Sequence, residues 1–205
     1  RPSQEQPFFH VQTYGDSHES SLHIPADKPV TADPARVTLA PYHPDTDTFR
    51  RTHARYLDRI GEIDRHVGEL VAQLEADGLL EDTFIFYFGD HGGVLPRGKG
   101  FTYESGLHIP LVVRIPKKWK HLIDGEPGSR VDGFVSFVDF GPTVLNLAGI
   151  AVPQGVDGRA FLGKGVTLAE VNARDEVFGY ADRMDEKYDL TRWLREGRIH
   201  HREDV

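Results

Sequence analysis

The stretch of sequence that decides the fold is Thr83-Phe84-Ile85-Phe86-Tyr87-Phe88-Gly89-Asp90-His91-Gly92-Gly93. Its first six residues favour β-structure and would place apolar side chains on both faces of a sheet. This pattern predicts a strand buried on both sides, as in a parallel or mixed sheet covered by helices. The run ends at glycines around Asp90 and His91, and open α/β sheets bind ligands beyond the carboxyl ends of their strands. The stretch therefore predicts both a central strand and a candidate site.

The clearest helix precedes this strand. Apolar residues recur at spacings of three and four between Ala54 and Leu74, which predicts a long amphipathic helix that packs along most of its length. Asp45 or Asp47 is the expected N-cap, and Gly78 is a natural C-terminal cap. The apolar stripe consists of Ala54, Leu57, Ile60, Ile63, Val67, Leu70, Val71 and Leu74.

Other segments complete an alternating order of strands and helices. The pattern predicts further strands at 7–14, 111–115 and 131–138. A short helix is expected between Asp139, its cap, and Gly149. Residues 25–48 and 155–165 are typical of loops, and the tail from Glu176 onward is a weak strand–turn–strand candidate. This order predicts an α/β fold with a mixed, mostly parallel sheet flanked by helices.

Composition excludes several classes of protein. The 205 residues include 24 Lys and Arg against 32 Asp and Glu, and a net charge of −8 argues against a general nucleic-acid binder. The chain has no cysteine, which excludes disulfides, thiolate metal sites and cysteine nucleophiles within it. No apolar run approaches the roughly 20 residues that a membrane span needs. Both ends, at Arg1 and after Ile199, lead us to expect a piece of a larger protein.

The candidate chemistry lies at polar turns that follow strands. Asp90 and His91 offer a carboxylate and an imidazole to a divalent cation, although a capping Asp and a buried structural His fit the spacing too. Lys99 and Arg97, in a glycine-flanked loop, are candidate ligands for phosphate or sulfate, with a solvated basic loop as the alternative. His18 follows the first predicted strand in a similar turn. Spacing alone identifies no nucleophile.

Five motifs in a fixed order carry a family resemblance. They are Pro7–His18, Tyr56–Thr83, Phe88–Gly92 with Gly98-Lys99-Gly100, Tyr103–Val113, and Val135–Leu145. Together they resemble the sulfatase family of the alkaline phosphatase superfamily over about residues 7–165, and more weakly to 199. The resemblance implies an alkaline-phosphatase-like fold that is incomplete here. It also implies a partial catalytic domain at residues 1–165 and the start of a truncated C-terminal segment at 166–205.

The resemblance also implies roles for individual residues. By position, Asp90 and His91 would be metal ligands, while His18 and Lys99 would be catalytic residues that contact the sulfate group and its leaving oxygen. Calcium, the usual ion of the family, is the expected metal. Manganese or zinc is the alternative, because many sulfatases have Asn at the position of His91 and an imidazole suits those ions at least as well. Family members also carry two upstream aspartates and a formylglycine made from Cys or Ser in a Cys/Ser-x-Pro-x-Arg motif. We expect these in an N-terminal part that this sequence does not include.

Three functions are compatible with the motifs. The parent protein is expected to be a sulfuric ester hydrolase that acts on a small-molecule or carbohydrate sulfate ester. A phosphonate or phosphate ester hydrolase of the same superfamily is the first alternative, and a catalytically inactive sulfatase-like fragment is the second. The isolated chain is expected not to turn over sulfate esters, and to self-associate through an uncovered sheet edge. Nucleic acid and a membrane span are not expected, and a periplasmic or secreted location is suggested by the resemblance alone.

Overall fold

The computed structural model describes residues 6–23, 25 and 27–177. Within them the chain forms two compact units. The first comprises the residues up to 73 and then 87–111, and the second comprises 74–86 and 112–177. The domain boundary expected near residue 165 stays a prediction.

The regular elements are four helices and two strands in the described part of the chain. The helices are α1 (Asp47–Ala76), α2 (Glu104–Leu107), α3 (Phe140–Leu147) and α4 (Leu168–Asn172). The strands are β1 (Ile85–Phe88) and β2 (Leu111–Arg114), which pair in a two-stranded sheet. Short 3₁₀ turns lie at Glu19–Leu22, Pro34–Arg36, Leu80–Asp82, Lys117–Leu122 and Phe137–Asp139. The combination confirms the predicted α/β class.

The start of α1 differs from the expectation. The hydroxyl of Thr46 accepts the backbone N–H of Phe49 at 3.2 Å, which makes Thr46 the cap. The predicted capping by Asp45 or Asp47 is wrong. The carboxylate of Asp45 is held by the guanidinium of Arg50 at 3.0 Å, and Asp47 already lies in the first turn.

The end of α1 is as predicted. Gly78 has a φ of 69°, in the left-handed region that favours glycine. Its N–H donates to the carbonyl of Glu75 at 2.9 Å, and the N–H of Leu79 donates to the carbonyl of Leu74 at 2.8 Å. These two bonds satisfy carbonyls that the last helical turn would otherwise leave without partners.

The apolar stripe of α1 is less covered than its pattern predicts. Ala54 and Ile63 are buried, whereas Leu57 and Ile60 are exposed by 43% and 37%. Amphipathic spacing identifies the face of a helix that can be buried, but not how much of that face meets a partner. The expected packing is therefore seen along most of the stripe and fails at Leu57 and Ile60.

Two of the expected strands are absent from the described residues, and the two that form, β1 and β2, are each shorter than expected. Residues 7–14 and 131–136 have no regular structure, and 137–139 form a 3₁₀ turn instead of the end of a strand. A β-rich run becomes a strand only when a neighbouring strand takes its backbone hydrogen bonds, and neither run has one. β1 exists, but Tyr87 and Phe88 are exposed, so the predicted burial of that strand on both sides is also wrong. The predicted tail element falls outside the described residues.

The second unit has a compact polar and aromatic core around α3. The carboxylate of Asp139 accepts the N–H groups of Ser136 at 3.0 Å and Arg159 at 2.8 Å. The hydroxyl of Thr143, fully buried, donates to the carbonyl of Asp139 and accepts the N–H of Phe161. These bonds attach the predicted loop at 155–165 to α3.

Among the described residues, no helix is long and apolar enough to cross a membrane.

Candidate functional site

The loop after β1 folds back on itself and presents the candidate site. The N–H of Gly92 donates to the carbonyl of Gly106 at 2.9 Å, and the N–H of Lys99 donates to the carbonyl of Gly93 at 2.7 Å. A Cβ atom on Gly92 would come within 2.6 Å of the Cα of Gly106, and one on Gly98 would strike the carbonyl of Gly93. The glycines of this loop are therefore required by the close approach of its backbone segments.

His18 and Lys99 meet in the first unit. Their side chains reach each other from distant segments, with Lys99 Nζ 3.4 Å from His18 Nε2. The Nδ1 atom of His18 lies 3.3 Å from the backbone nitrogen of Ser20 and 3.0 Å from its hydroxyl oxygen, so Ser20 orients the imidazole ring. The Lys99 side chain is 23% exposed and that of His18 is 48% exposed, so both are accessible to a ligand.

Glu19 joins this pair, although the sequence analysis did not select it. Its Oε2 atom accepts a hydrogen bond from Lys99 Nζ at 2.6 Å and lies 3.6 Å from His18 Nε2. The hydrogen bond from Lys99 lowers the pKa of the Glu19 carboxyl, and the electrostatic effects of Lys99 and His18 act in the same direction, against the effect of partial burial. A glutamate in a polar turn carries no sequence signal for such a role, because its partner is distant in the chain.

Asp90 and His91 form a second pair on the same loop. His91 Nε2 lies 3.5 Å from Asp90 Oδ2, and His91 Nδ1 donates to the carbonyl of Gly92 at 2.8 Å. That bond fixes the neutral imidazole with its lone pair on Nε2, toward the carboxylate. A lone pair and a carboxylate at this distance repel each other unless a proton or a metal cation lies between them.

The donor set fits a divalent cation in part. The spacing of the two donor atoms suits ligands of one cation, since metal–nitrogen and metal–oxygen bonds of about 2.0–2.2 Å bring neighbouring ligand atoms this close. The Asp90 side chain is 84% exposed and free to turn toward an ion. Among the described residues, however, no group of three His, Cys, Asp or Glu side chains could hold a metal, so this pair supplies an incomplete ligand set.

The two pairs lie on one folded loop and its neighbouring turn. Lys99 is bonded through its backbone to Gly93, which follows His91 by two positions. The structure thus brings His18 to Lys99 and Asp90 to His91. Their roles in catalysis and metal binding stay predictions.

Comparison with known proteins now gives the family. The sulfatase family model matches residues 1–150. The chain belongs to the sulfatase family. This family lies within the alkaline phosphatase superfamily, and its members generally use a metal ion and a formylglycine residue.

Two curated relatives agree with the family assignment. The chain is 37% identical over 192 residues to an ulvan-active sulfatase of Formosa agariphila, covering 93% of this chain and 30% of that protein. It is 36% identical over 107 residues to an N-acetylglucosamine-6-O-sulfatase of Bacteroides thetaiotaomicron, covering 50% of this chain and 18% of that protein. A solved phosphonate monoester hydrolase from Silicibacter pomeroyi matches with 26% identity and a TM-score of 0.48, covering 73% of this chain and 28% of that one. The chain spans less than a third of the length of each of these proteins.

Proposed function

We propose that this chain supplies part of the active site of a sulfuric ester hydrolase. The observation that carries the proposal is the meeting of His18 and Lys99, 3.4 Å apart, in a chain of the sulfatase family. A cation and a proton donor side by side are the groups that cleavage of a sulfate ester requires, because charge develops on the sulfuryl oxygens and on the leaving alcohol.

Each side chain has a distinct task in this proposal. The ammonium group of Lys99 stabilises negative charge on the sulfuryl oxygens. The imidazolium form of His18, oriented by the contact between its ring and Ser20, donates its Nε2 proton to the departing alcohol oxygen, which is otherwise a poor leaving group, and becomes the neutral imidazole. Glu19 holds Lys99 in place and lies where it would contact an arriving anion, so substrate must share Lys99 with it or displace it.

Asp90 and His91 are the proposed metal ligands. A bound divalent cation would supply further neutralisation of charge on the sulfuryl group. Calcium prefers oxygen ligands, whereas manganese and zinc accept imidazole nitrogen, so His91 favours manganese or zinc over calcium. The remaining ligands and the formylglycine nucleophile are proposed to come from residues outside these 205, since the sequence has no Cys/Ser-x-Pro-x-Arg motif.

The proposed substrate is a sulfate ester of a carbohydrate. The support comes from the relatives, because an ulvan-active sulfatase and an N-acetylglucosamine-6-O-sulfatase are among them. A phosphate or phosphonate ester is the alternative, which the same side chains would bind by the same charge interactions.

The test uses a polypeptide that contains these residues together with a formylglycine nucleophile. Its kcat/KM is measured on 4-nitrophenyl sulfate, 4-nitrophenyl phosphate and 4-nitrophenyl phenylphosphonate. We expect the sulfate to be the best substrate, and Lys99→Ala to lower its kcat by about 10²-fold or more, the loss typical of one charge-stabilising group. Lys28→Ala, at an exposed lysine of the same unit, is the matched control. Higher kcat/KM on the phosphate or phosphonate, or an unaffected Lys99→Ala variant, would refute the proposal.

A further inference from the structure

An arginine and three aromatic rings cluster on the loop that carries Lys99. The guanidinium carbon of Arg97 lies 4.4 Å from the ring centre of Tyr42 and 5.2 Å from that of Tyr103. Phe101 stacks on Tyr103 with ring centres 6.1 Å apart and planes inclined by 22°. The three rings are between 39% and 51% exposed, so the cluster presents apolar ring faces and a cation to solvent together.

The backbone of Arg97 is unusual in a way that points to function. Its φ of 66° lies in the left-handed region, and among the described residues it is the one non-glycine residue with positive φ. Side chains rarely adopt this conformation, and it persists where the surrounding structure enforces it, often at binding sites. Here the hydroxyl of Ser105 donates to the Arg97 carbonyl at 2.7 Å, and Gly98 closes the turn by donating to Leu95.

The charge of Arg97 is not neutralised within the described residues. Arg50, Arg59 and Arg65 of the same unit each pair with a carboxylate. Arg97 makes no such pair among the residues that the structure describes, and its contacts are the faces of two tyrosine rings. A guanidinium stacked on aromatic rings keeps its N–H edges available, and those edges match the oxygens of a sulfate group.

We propose that Arg97, Tyr42 and Tyr103 form a subsite for a second sulfated sugar of an oligosaccharide substrate. This inference rests on the proposed function, in which Lys99, two positions along the loop, engages the sulfate that is cleaved. Arg97 binds a further sulfate group, and the exposed tyrosine rings stack against the C–H face of the sugar that bears it. The chain has a net charge of −8, so a polyanionic substrate needs local cations of this kind to approach the loop.

The binding test uses the 205-residue chain and a heparin-derived octasaccharide as the probe, with its desulfated counterpart and inorganic sulfate alongside. Calorimetry in 150 mM salt should detect the sulfated octasaccharide. Arg97→Gln should weaken its binding by about tenfold, the loss expected for one charge-assisted bidentate contact. Tyr42→Ala should weaken binding of the octasaccharide but not of inorganic sulfate. Arg36→Gln, at an exposed arginine without an aromatic contact, removes the same charge and should bind like the wild type.

A second variant protects the test against a folding defect. Arg97→Gly suits the left-handed backbone and removes only the side chain, so it should fold at least as well as the wild type and bind as weakly as Arg97→Gln. Equal binding by Arg97→Gly, Arg97→Gln and Arg36→Gln, absence of octasaccharide binding by the wild type, or equal binding of the desulfated probe would overturn the subsite.

The subsite and the proposed function fail in different measurements. The proposed function fails if the wild-type polypeptide prefers phosphate or phosphonate esters, or if the Lys99→Ala variant is still active. The subsite proposal fails in the measurement of octasaccharide binding, which needs neither metal nor nucleophile. In an active polypeptide, Arg97→Gln should lower kcat/KM on the sulfated octasaccharide about tenfold more than it lowers kcat/KM on 4-nitrophenyl sulfate, and equal effects on both substrates would also overturn the subsite.

Discussion

Lys99 Nζ lies 3.4 Å from His18 Nε2, although 81 positions of sequence separate the two residues. Glu19 contacts both, with its carboxylate 2.6 Å from the ammonium nitrogen of Lys99 and 3.6 Å from His18 Nε2. The family resemblance implies that both residues contact the sulfate group, and their meeting is compatible with that expectation. The Glu19 carboxylate therefore competes with any anionic substrate for the ammonium group of Lys99.

Replacing Glu19 should strengthen anion binding. In Glu19→Gln the negative charge beside Lys99 is lost, while the side-chain size is kept. Inorganic sulfate should then bind about three- to tenfold more tightly, because a neighbouring charge at the protein surface is worth about 1 kcal/mol. The inhibition constant of inorganic sulfate against ester hydrolysis measures this effect.

The matched control for that measurement is Glu69→Gln. Glu69 pairs with Arg65 on α1 and is exposed, so its loss should leave the inhibition constant unchanged. Because Lys99 holds the pKa of Glu19 below its usual value, the carboxylate stays ionised throughout the neutral range. The difference between Glu19→Gln and the wild type should therefore be constant from pH 6 to 8, and a weaker sulfate affinity in Glu19→Gln would contradict the competing role.

A histidine pair should make stability depend on pH. Burial lowers the pKa of His53, and the charge of neighbouring His43 lowers it further. The unfolded chain then binds more protons than the folded chain between the folded pKa and the unfolded value of about 6.5, so the free energy of unfolding falls as pH drops through that window. His53→Gln should flatten this dependence, measured as the change in urea midpoint between pH 7.5 and 5.5.

The exposed histidine His10 is the control for effects of low pH on stability that do not depend on His53. His10→Gln should keep the pH dependence of the wild type, because His10 lies at the surface. Glu19 and Glu81, whose pKa values are lowered, lose their stabilising contributions only below about pH 4.5, outside the tested window. A urea midpoint of His53→Gln that changes as much as the wild-type value would exclude the His53 mechanism.

The structure also explains which features could be predicted from sequence. α1, its Gly78 cap and α3 depend on spacing and capping within a few residues, and all three are present. The runs at 7–14 and 131–138 have β-forming composition, but a strand needs a partner that composition does not specify. The contacts of Glu19 with Lys99 and of Arg97 with Tyr42 join separate segments of the chain, so no local sequence pattern predicts them.

Asp90 and His91 should bind Mn²⁺ weakly in the 205-residue chain. Two protein ligands give a far weaker site than a full set, so we expect a dissociation constant on the order of millimolar. Paramagnetic broadening of the Gly92 amide signal in NMR spectra, next to His91 in the chain and present in every variant, measures it. His91→Ala should abolish saturable binding, while His10→Ala should leave it intact, and equal broadening in both variants would refute the assignment.

Thr143 should stabilise the second unit through its hydroxyl rather than its shape. The side chain is fully buried, donating to the Asp139 carbonyl at 2.6 Å and accepting the Phe161 N–H at 3.0 Å. Thr143→Val keeps the volume but leaves the buried Phe161 N–H without its partner, which should lower the free energy of unfolding by about 1–3 kcal/mol. Thr143→Ser keeps both bonds and loses one buried methyl group, a cost of about 1 kcal/mol. Urea unfolding followed by far-ultraviolet circular dichroism should therefore rank the wild type above Ser and Ser above Val. The opposite order of the two variants would show that packing of the methyl group, and not the hydrogen bonds that join α3 to residues 155–165, holds this core together.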